Sequence, residues 1–217
     1  MGLPNLGHAA VAKKISQIQK INKCPIGASI AEDPNTIDEI KRIDEVIEGI
    51  ILYEKAGADF IEINFSCPNV TEHHTKSDNN SIHLIYEKYI KKRSNFIPII
   101  AKYSNDIQPD TITNTIDLLI DSGFSGINLG NTSTKYDQYL PLIDKKDTNN
   151  YHTFTKTFGG GLSGDILKQN SLSICTLASK YIKTKTLSKE FHCIRTGGIS
   201  TKNDIISSQN EGIPINQ

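Results

Sequence analysis

Ile61-Glu62-Ile63-Asn64-Phe65-Ser66-Cys67-Pro68-Asn69-Val70 reads as a strand that runs straight into a site. Phe60, Ile61 and Ile63 are β-formers, whereas Asn64, Ser66, Cys67 and Asn69 gather polar and reactive groups at the carboxyl end. Pro68 has no N–H for a ladder, so pairing ends near Cys67 and the thiol is left on a turn at the rim of a sheet. Alone, these residues also fit a plain strand end with a buried cysteine and two turn asparagines, so the rest of the chain decides.

Outward from this stretch the pattern is helix, glycine, strand, repeated. Ile43, Val46, Ile47, Ile50 and Ile51 recur at helical spacing, and Gly57 stands where a helix end takes a left-handed residue before the strand at Phe60. The phrase returns with a strand over 98–102, a helix marked by Ile112, Ile116, Leu119 and Ile120, Gly123 as its end, and a strand over 126–129. A helix over 9–20, a buried strand over 25–30, a helix over 165–181 and a strand over 191–195 complete the series. Strands alternating with helices predict an α/β parallel sheet with helical crossovers. An open doubly wound sheet and a TIM (β/α)8 barrel both fit that alternation. The polar residues favour the barrel, because successive strands end in candidate chemistry: Asn64 and Cys67, then Lys102, then Asn131 and Thr132, then Gly197 and Gly198.

Composition narrows the class of function. With 217 residues, 37% hydrophobic and 22% charged, the chain has the make-up of one soluble globular domain. A formal net charge of zero gives no electrostatic case for nucleic acid or an anionic membrane. No apolar run reaches a membrane span and the first residues lack a signal pattern, so the expected location is cytoplasmic. Cys24, Cys67, Cys175 and Cys193 form no Cys-x-x-Cys pair, and Cys175 and Cys193 lie in apolar patterns that make them core thiols. His73, His74 and His83 give a weak metal signal, since adjacent histidines share no helix face and 72–78 reads as a polar loop. The polar, aperiodic segment 133–158 reads as an excursion between α/β units or as disorder. Glycine clusters at 159–164 and 197–198 let backbone N–H groups approach a phosphate.

The motifs Gly2-Leu3-Pro4-Asn5, Asn64-x-Ser66-Cys67-Pro68-Asn69, the strand ending in Lys102, Asn131-Thr132, Gly160-Gly161-Leu162-Ser163-Gly164 and Gly197-Gly198-Ile199-Ser200 resemble, in the same order, those of the dihydroorotate dehydrogenases. Cysteine at position 67 resembles the class 1 branch, which has cysteine as base. The resemblance implies a flavin mononucleotide (FMN) enzyme that oxidises dihydroorotate to orotate in pyrimidine biosynthesis. It makes Cys67 the base for the C5 proton while hydride passes from C6 to flavin N5. It assigns Gly2, Leu3, Asn64, Asn69, Asn131 and Thr132 to the substrate, and Lys102, Gly161, Ser163, Gly164, Gly197 and Gly198 to the flavin. A soluble electron acceptor, fumarate or a nicotinamide, is implied ahead of a quinone, and a homodimer is one possible assembly. A free thiol has a pKa of about 8.5, so such a base works better as pH rises.

The departures set further expectations. The family carries two strands ahead of the Gly-Leu-Pro-Asn loop, and 212–217 resembles the start of the eighth strand, so five strands and a stub of a barrel are expected within a single domain, 1–217, that is truncated at both ends. An unclosed barrel exposes sheet edges, which makes an insoluble or flavin-free chain the expected behaviour of these residues alone. The alternatives are a catalytically inactive remnant of the fold and another pyrimidine-handling flavoprotein such as the flavin domain of dihydropyrimidine dehydrogenase. That enzyme has histidine after Cys-Pro where this chain has Asn69.

Overall fold

The computed structural model describes residues 6–19, 24–66 and 74–217, the last of these by backbone alone over 74–77. The chain divides into two compact units, one comprising Gly2–Lys102 and Asp117–Gly126, the other Tyr103–Ile116 and Ile127–Gln217. The elements in order are α1 (His8–Gln17), β1 (Gly27–Ile30), α2 (Glu39–Lys55), β2 (Phe60–Asn64), α3 (His74–Lys88), β3 (Ile99–Ser104), α4 (Pro109–Asp121), β4 (Gly126–Asn131), α5 (Tyr136–Tyr139), α6 (Thr148–Phe158), α7 (Lys168–Lys183), β5 (His192–Arg195), α8 (Lys202–Asn210) and β6 (Ile215–Asn216).

The first unit carries β1-β2-β3, paired in parallel with Ile30 opposite Ile63 and Asn64 opposite Lys102. Ile61 and Ile63 are buried, and so are Ile99 and Ala101, which is why β2 and β3 read as nearly continuous apolar runs. Helix α2 begins at Asp38, whose carboxylate accepts from the Lys41 N–H at 2.8 Å. It buries Ile43, Val46, Ile50 and Tyr53 at helical spacing, each apolar side chain contributing about 1.5–3 kcal/mol. Gly57, at φ 94°, ends it in the left-handed turn expected from the sequence.

The second unit carries the end of β3 with β4, β5 and β6, and β5 and β6 pair in parallel. Cys175 and Cys193 are buried in it as core thiols, and burial pushes the Cys175 thiol well up. Gly130 is required by its surroundings: its φ is 106°, and a Cβ there would stand 1.9 Å from the Thr196 carbonyl oxygen. Thr201 and Asp204 cap α8 reciprocally, each side chain bonded to the other's backbone N–H.

Strand order follows chain order without reversal, as in successive units of a TIM barrel and unlike a doubly wound sheet, whose order turns back at a switch point. The expected α/β architecture is the one observed, with five strands and a two-residue β6. Two local expectations need correction. Residues 133–158 are ordered, and carry α5 and α6. Helix α6 buries none of its residues, and its mostly polar sequence hid the aromatic stripe of Tyr151, Phe154 and Phe158; Phe154 and Phe158 stack on its exposed side with ring centroids 5.7 Å apart. The polar loop expected over 72–78 is helical from His74 onward. Among the described residues, no three His, Cys, Asp or Glu are grouped to hold a metal ion. Among them, too, no helix is long and apolar enough to cross a membrane.

Candidate active site

In the first unit the chemistry gathers over the last residues of β2 and at Lys102 of β3, a strand that runs past its expected end there to Ser104. Glu62 and Lys102 lie on one face of neighbouring strands, two residues out of direct register, a diagonal that long side chains bridge. Lys102 Nζ stands 3.2 Å from Glu62 Oε1, and both side chains are nearly enclosed. Ser29, directly opposite Glu62 on β1, donates its hydroxyl to the same oxygen at 3.0 Å. Breaking such a pair strands a charge in the interior, which fixes the ammonium in place. The sequence pointed to Lys102 as a fixed positive charge for the flavin; the structure adds a buried carboxylate partner for it. Glu62 was missed because its pairing depends on strand register, and the only hint was a charged residue inside an apolar strand.

Asn64 closes β2. Its Oδ1 accepts from the Ser66 N–H at 3.1 Å and from the Ser66 hydroxyl at 2.9 Å, a side-chain turn that sets the direction in which the chain leaves toward residue 67. Gly2, Leu3, Cys67 and Asn69 lie outside the described residues.

In the second unit the glycine loops are brought to the ends of β4 and β5. Ser133 and Leu162 exchange both backbone hydrogen bonds, at 3.0 and 2.7 Å, so the loop over 159–164 is stitched to the residue after Thr132. Gly161 is consequently pressed on Thr132: a Cβ at 161 would meet Thr132 Oγ1 at 2.0 Å. The Tyr136 hydroxyl donates to the Gly160 carbonyl at 2.6 Å and holds the other side of the loop. Beneath it, Asp106 accepts from the Ser133 hydroxyl at 2.5 Å and from the Thr134 N–H at 2.7 Å. Asn131 offers its carbonyl to the Asn105 N–H at 3.1 Å, and Thr132 offers its own to the Ser104 hydroxyl at 2.9 Å.

The second glycine loop, Gly197-Gly198, has φ values of 93° and 69°. A Cβ on Gly198 would lie 2.5 Å from the backbone nitrogen of Lys168, at the start of α7. Lys168 is paired at 3.1 Å with Asp165, after the first loop, and at 3.2 Å with Asp204, after the second. The Ser200 hydroxyl donates to Asp165 at 2.8 Å. Asp204 is held well below the usual carboxylate range, chiefly by its bond from the Thr201 hydroxyl and then by the Ser200 N–H. Ser163 and Gly164 are exposed, with open space where a Cβ on Gly164 would stand.

The loops of the second unit fit the phosphate end of a flavin nucleotide: Gly161, Gly197 and Gly198 are small so that the loops can close on their own chain, while the space beside Gly160 and Gly164 leaves backbone open to a phosphate. In the first unit, Lys102 is a cation fixed within β3. Asp106 and Glu62 hold these parts in place, and neither belongs to a motif visible in the sequence.

The family model described as dihydroorotate dehydrogenase matches residues 1–214. Similar proteins include the dihydroorotate dehydrogenase (quinone) of Trichodesmium erythraeum, 29% identical over 210 residues that make up 94% of this chain and 52% of that one. A shorter likeness, 43% over 58 residues covering 26% of this chain and 14% of the other, joins it to the NAD-dependent dihydropyrimidine dehydrogenase subunit PreA of Escherichia coli. The crystal structure of the Eimeria tenella enzyme, DHODH, in complex with ferulenol shares the fold with a TM-score of 0.71 at 19% identity, over 97% of this chain and 56% of that one. The chain spans about half the length of the relatives it matches. With a family match over nearly its whole length, the chain belongs to the dihydroorotate dehydrogenase family.

Proposed function

We propose that this chain, as a single dihydroorotate dehydrogenase-like domain over 1–217, takes part in the FMN-dependent oxidation of dihydroorotate to orotate in pyrimidine biosynthesis. The reading is carried by the family match over 1–214, and Asn64, Asn131, Thr132, Gly197 and Gly198 support it by falling at or just after strand carboxyl ends. When bound, FMN accepts the hydride that leaves C6 of the substrate. Cys67 removes the C5 proton as a thiolate, so activity rises with pH toward the thiol pKa of about 8.5. Asn64, Asn69 and Asn131 hold the substrate's carboxylate and ring amides, with Thr132 beside them and the backbone of Gly2 and Leu3 over them. Lys102, kept in position by Glu62, would supply the positive charge for the flavin ring, and Gly161, Ser163, Gly164, Gly197 and Gly198 would hold its phosphate.

The sequence favoured a soluble acceptor, whereas the longer relatives are named for a quinone. A quinone is therefore the first acceptor to assay, followed by fumarate and a nicotinamide. The free thiols Cys24, Cys175 and Cys193 support a reducing compartment, the cytoplasm. The deciding experiment is a spectrum of the purified chain during addition of dihydroorotate under nitrogen: a flavin band that bleaches supports the proposal. A colourless chain, the behaviour expected of an unclosed barrel, would favour the inactive remnant over the enzyme, and a flavin that dihydroorotate leaves oxidised would sink the proposal. Cys67→Ala should keep the band and lose the bleaching, and Cys67→Ser should bleach slowly with an alkaline optimum.

A further inference from the structure

Arg195, the last residue of β5, is completely buried two residues before the Gly197-Gly198 turn. Its guanidinium donates to four neutral oxygens: Nε to the Ser171 hydroxyl at 3.0 Å, Nη2 to the Lys168 carbonyl at 2.9 Å, and Nη1 to the Ser208 hydroxyl at 2.9 Å and the Asp204 carbonyl at 3.3 Å. Ser171, also completely buried, stands 2.8 Å from the Gly197 carbonyl and 3.1 Å from that of Lys168. A hydroxyl has one proton to give. Arg195 already serves the Lys168 carbonyl and fills the acceptor side of the Ser171 oxygen, so the Ser171 proton is directed to Gly197. The arginine thus reaches the turn through one intermediary and fixes it against the first residue of α7, where Gly198 lies.

The geometry points to Arg195 as a positioning residue that, through Ser171, presets the Gly197-Gly198 turn for a phosphate monoester, the terminal group of a flavin nucleotide. The inference rests on the flavin reading for its ligand and on the hydrogen bonds alone for its mechanism. Charge is not the agent, because Arg195 and Lys168 are offset by Asp165 and Asp204 in the same cluster. What matters is the planar fork, which reaches Ser171, Lys168 and Ser208 at once; a lysine point charge cannot.

The test is hydrogen exchange on the full chain, read in peptides covering 196–200, with FMN and riboflavin titrated in parallel. Ser171→Ala and Arg195→Lys should speed exchange over 196–200 at least tenfold relative to β4, whereas Ser208→Ala, which removes a bond on the side away from the turn, should leave it near the native rate. The same two variants should weaken FMN at least tenfold and leave riboflavin, which has no phosphate, unchanged. Unaltered exchange in Ser171→Ala and Arg195→Lys overturns the inference, as does equal acceleration in all three variants. Equal weakening of FMN and riboflavin overturns its phosphate part. A native chain that takes neither flavin refutes the proposed function, and the exchange rates still decide the role of Arg195.

Discussion

The two units hold their candidate site residues by different physics. In the first, Lys102 is held by a buried carboxylate, and Asp78 on α3 lies close enough to Glu32 to feel its charge. In the second, the glycine loops are closed by backbone contact, and Asp204 sits in a cage of donors beside them. Titrating groups can be undone by protons, whereas steric closure cannot. The two units should therefore respond to pH with opposite signs, through Asp78 in the first and Asp204 in the second, while the steric closure of the glycine loops does not titrate.

The harshest way to break that contrast is Gly130→Ala. The added methyl would collide with the Thr196 carbonyl at a φ of 106°, and backbone on both sides cannot retreat. A loss of more than about 4 kcal/mol is expected, at every pH, measured by denaturant unfolding. Next comes Glu62→Gln, which leaves the Lys102 ammonium enclosed without its carboxylate. It should cost about 3 kcal/mol, and Lys102→Met in the same background should recover most of the loss.

Asp78 gives a smaller effect with a definite sign. Burial, and then the charge of Glu32, raises its pKa from 3.8 to about 7. Glu32 is itself held in place by Arg42 at 2.9 Å and by the Ser81 hydroxyl at 3.0 Å. Between these two pKa values the native chain holds a proton that the unfolded chain has released, so stability falls as pH rises from about 4 to about 7 and then levels. Asp78→Asn should flatten that slope and exceed the native chain by about 2 kcal/mol at pH 8, after discounting for partial exposure. Asp204 works in the opposite sense: its depressed pKa supports the second unit above pH of about 4 and the support is lost in acid. The smallest change is Thr201→Ala, which removes half of the α8 capping box and should cost about 1 kcal/mol by thermal melting.

What the sequence disclosed follows from which forces are local. The strands themselves, the left-handed Gly57 and Gly123, and the buried Cys175 and Cys193 were legible because apolar period and glycine conformation are written within a few residues, although β3 and β4 each run two residues past their expected ends. Glu62 with Lys102 and Asp106 with Ser133 were not, because each joins residues at least 27 apart whose meeting depends on strand register or loop closure. Arg195 was invisible as a positioning residue for the same reason: its partners lie on α7 and α8, and only the fold brings them together. Helix α6 failed differently. Its aromatic stripe lies in mostly polar sequence and buries none of its residues, and its Tyr151 hydroxyl is tied to the Tyr136 carbonyl at 2.8 Å, a bond that periodicity does not record.

Gly130 and Gly197 occupy each other's room: a Cβ on the first would meet the Thr196 carbonyl at 1.9 Å, and a Cβ on the second would meet the Gly130 carbonyl at 2.7 Å. Since both obstacles are main chain, no second-site replacement elsewhere can restore a lineage that changes either one. Under relaxed selection the two kinds of residue should decay at different speeds. On the proposed function, a descendant that had stopped turning over substrate would be free to vary at Cys67 and Asn69, yet would still be purged at these two glycines for as long as its chain had to fold. Aligned relatives would then carry a clock of two hands, glycine at 130 and 197 marking a folded protein and cysteine at 67 marking a working one. The distance between the two in any branch would date the loss of chemistry separately from the loss of structure.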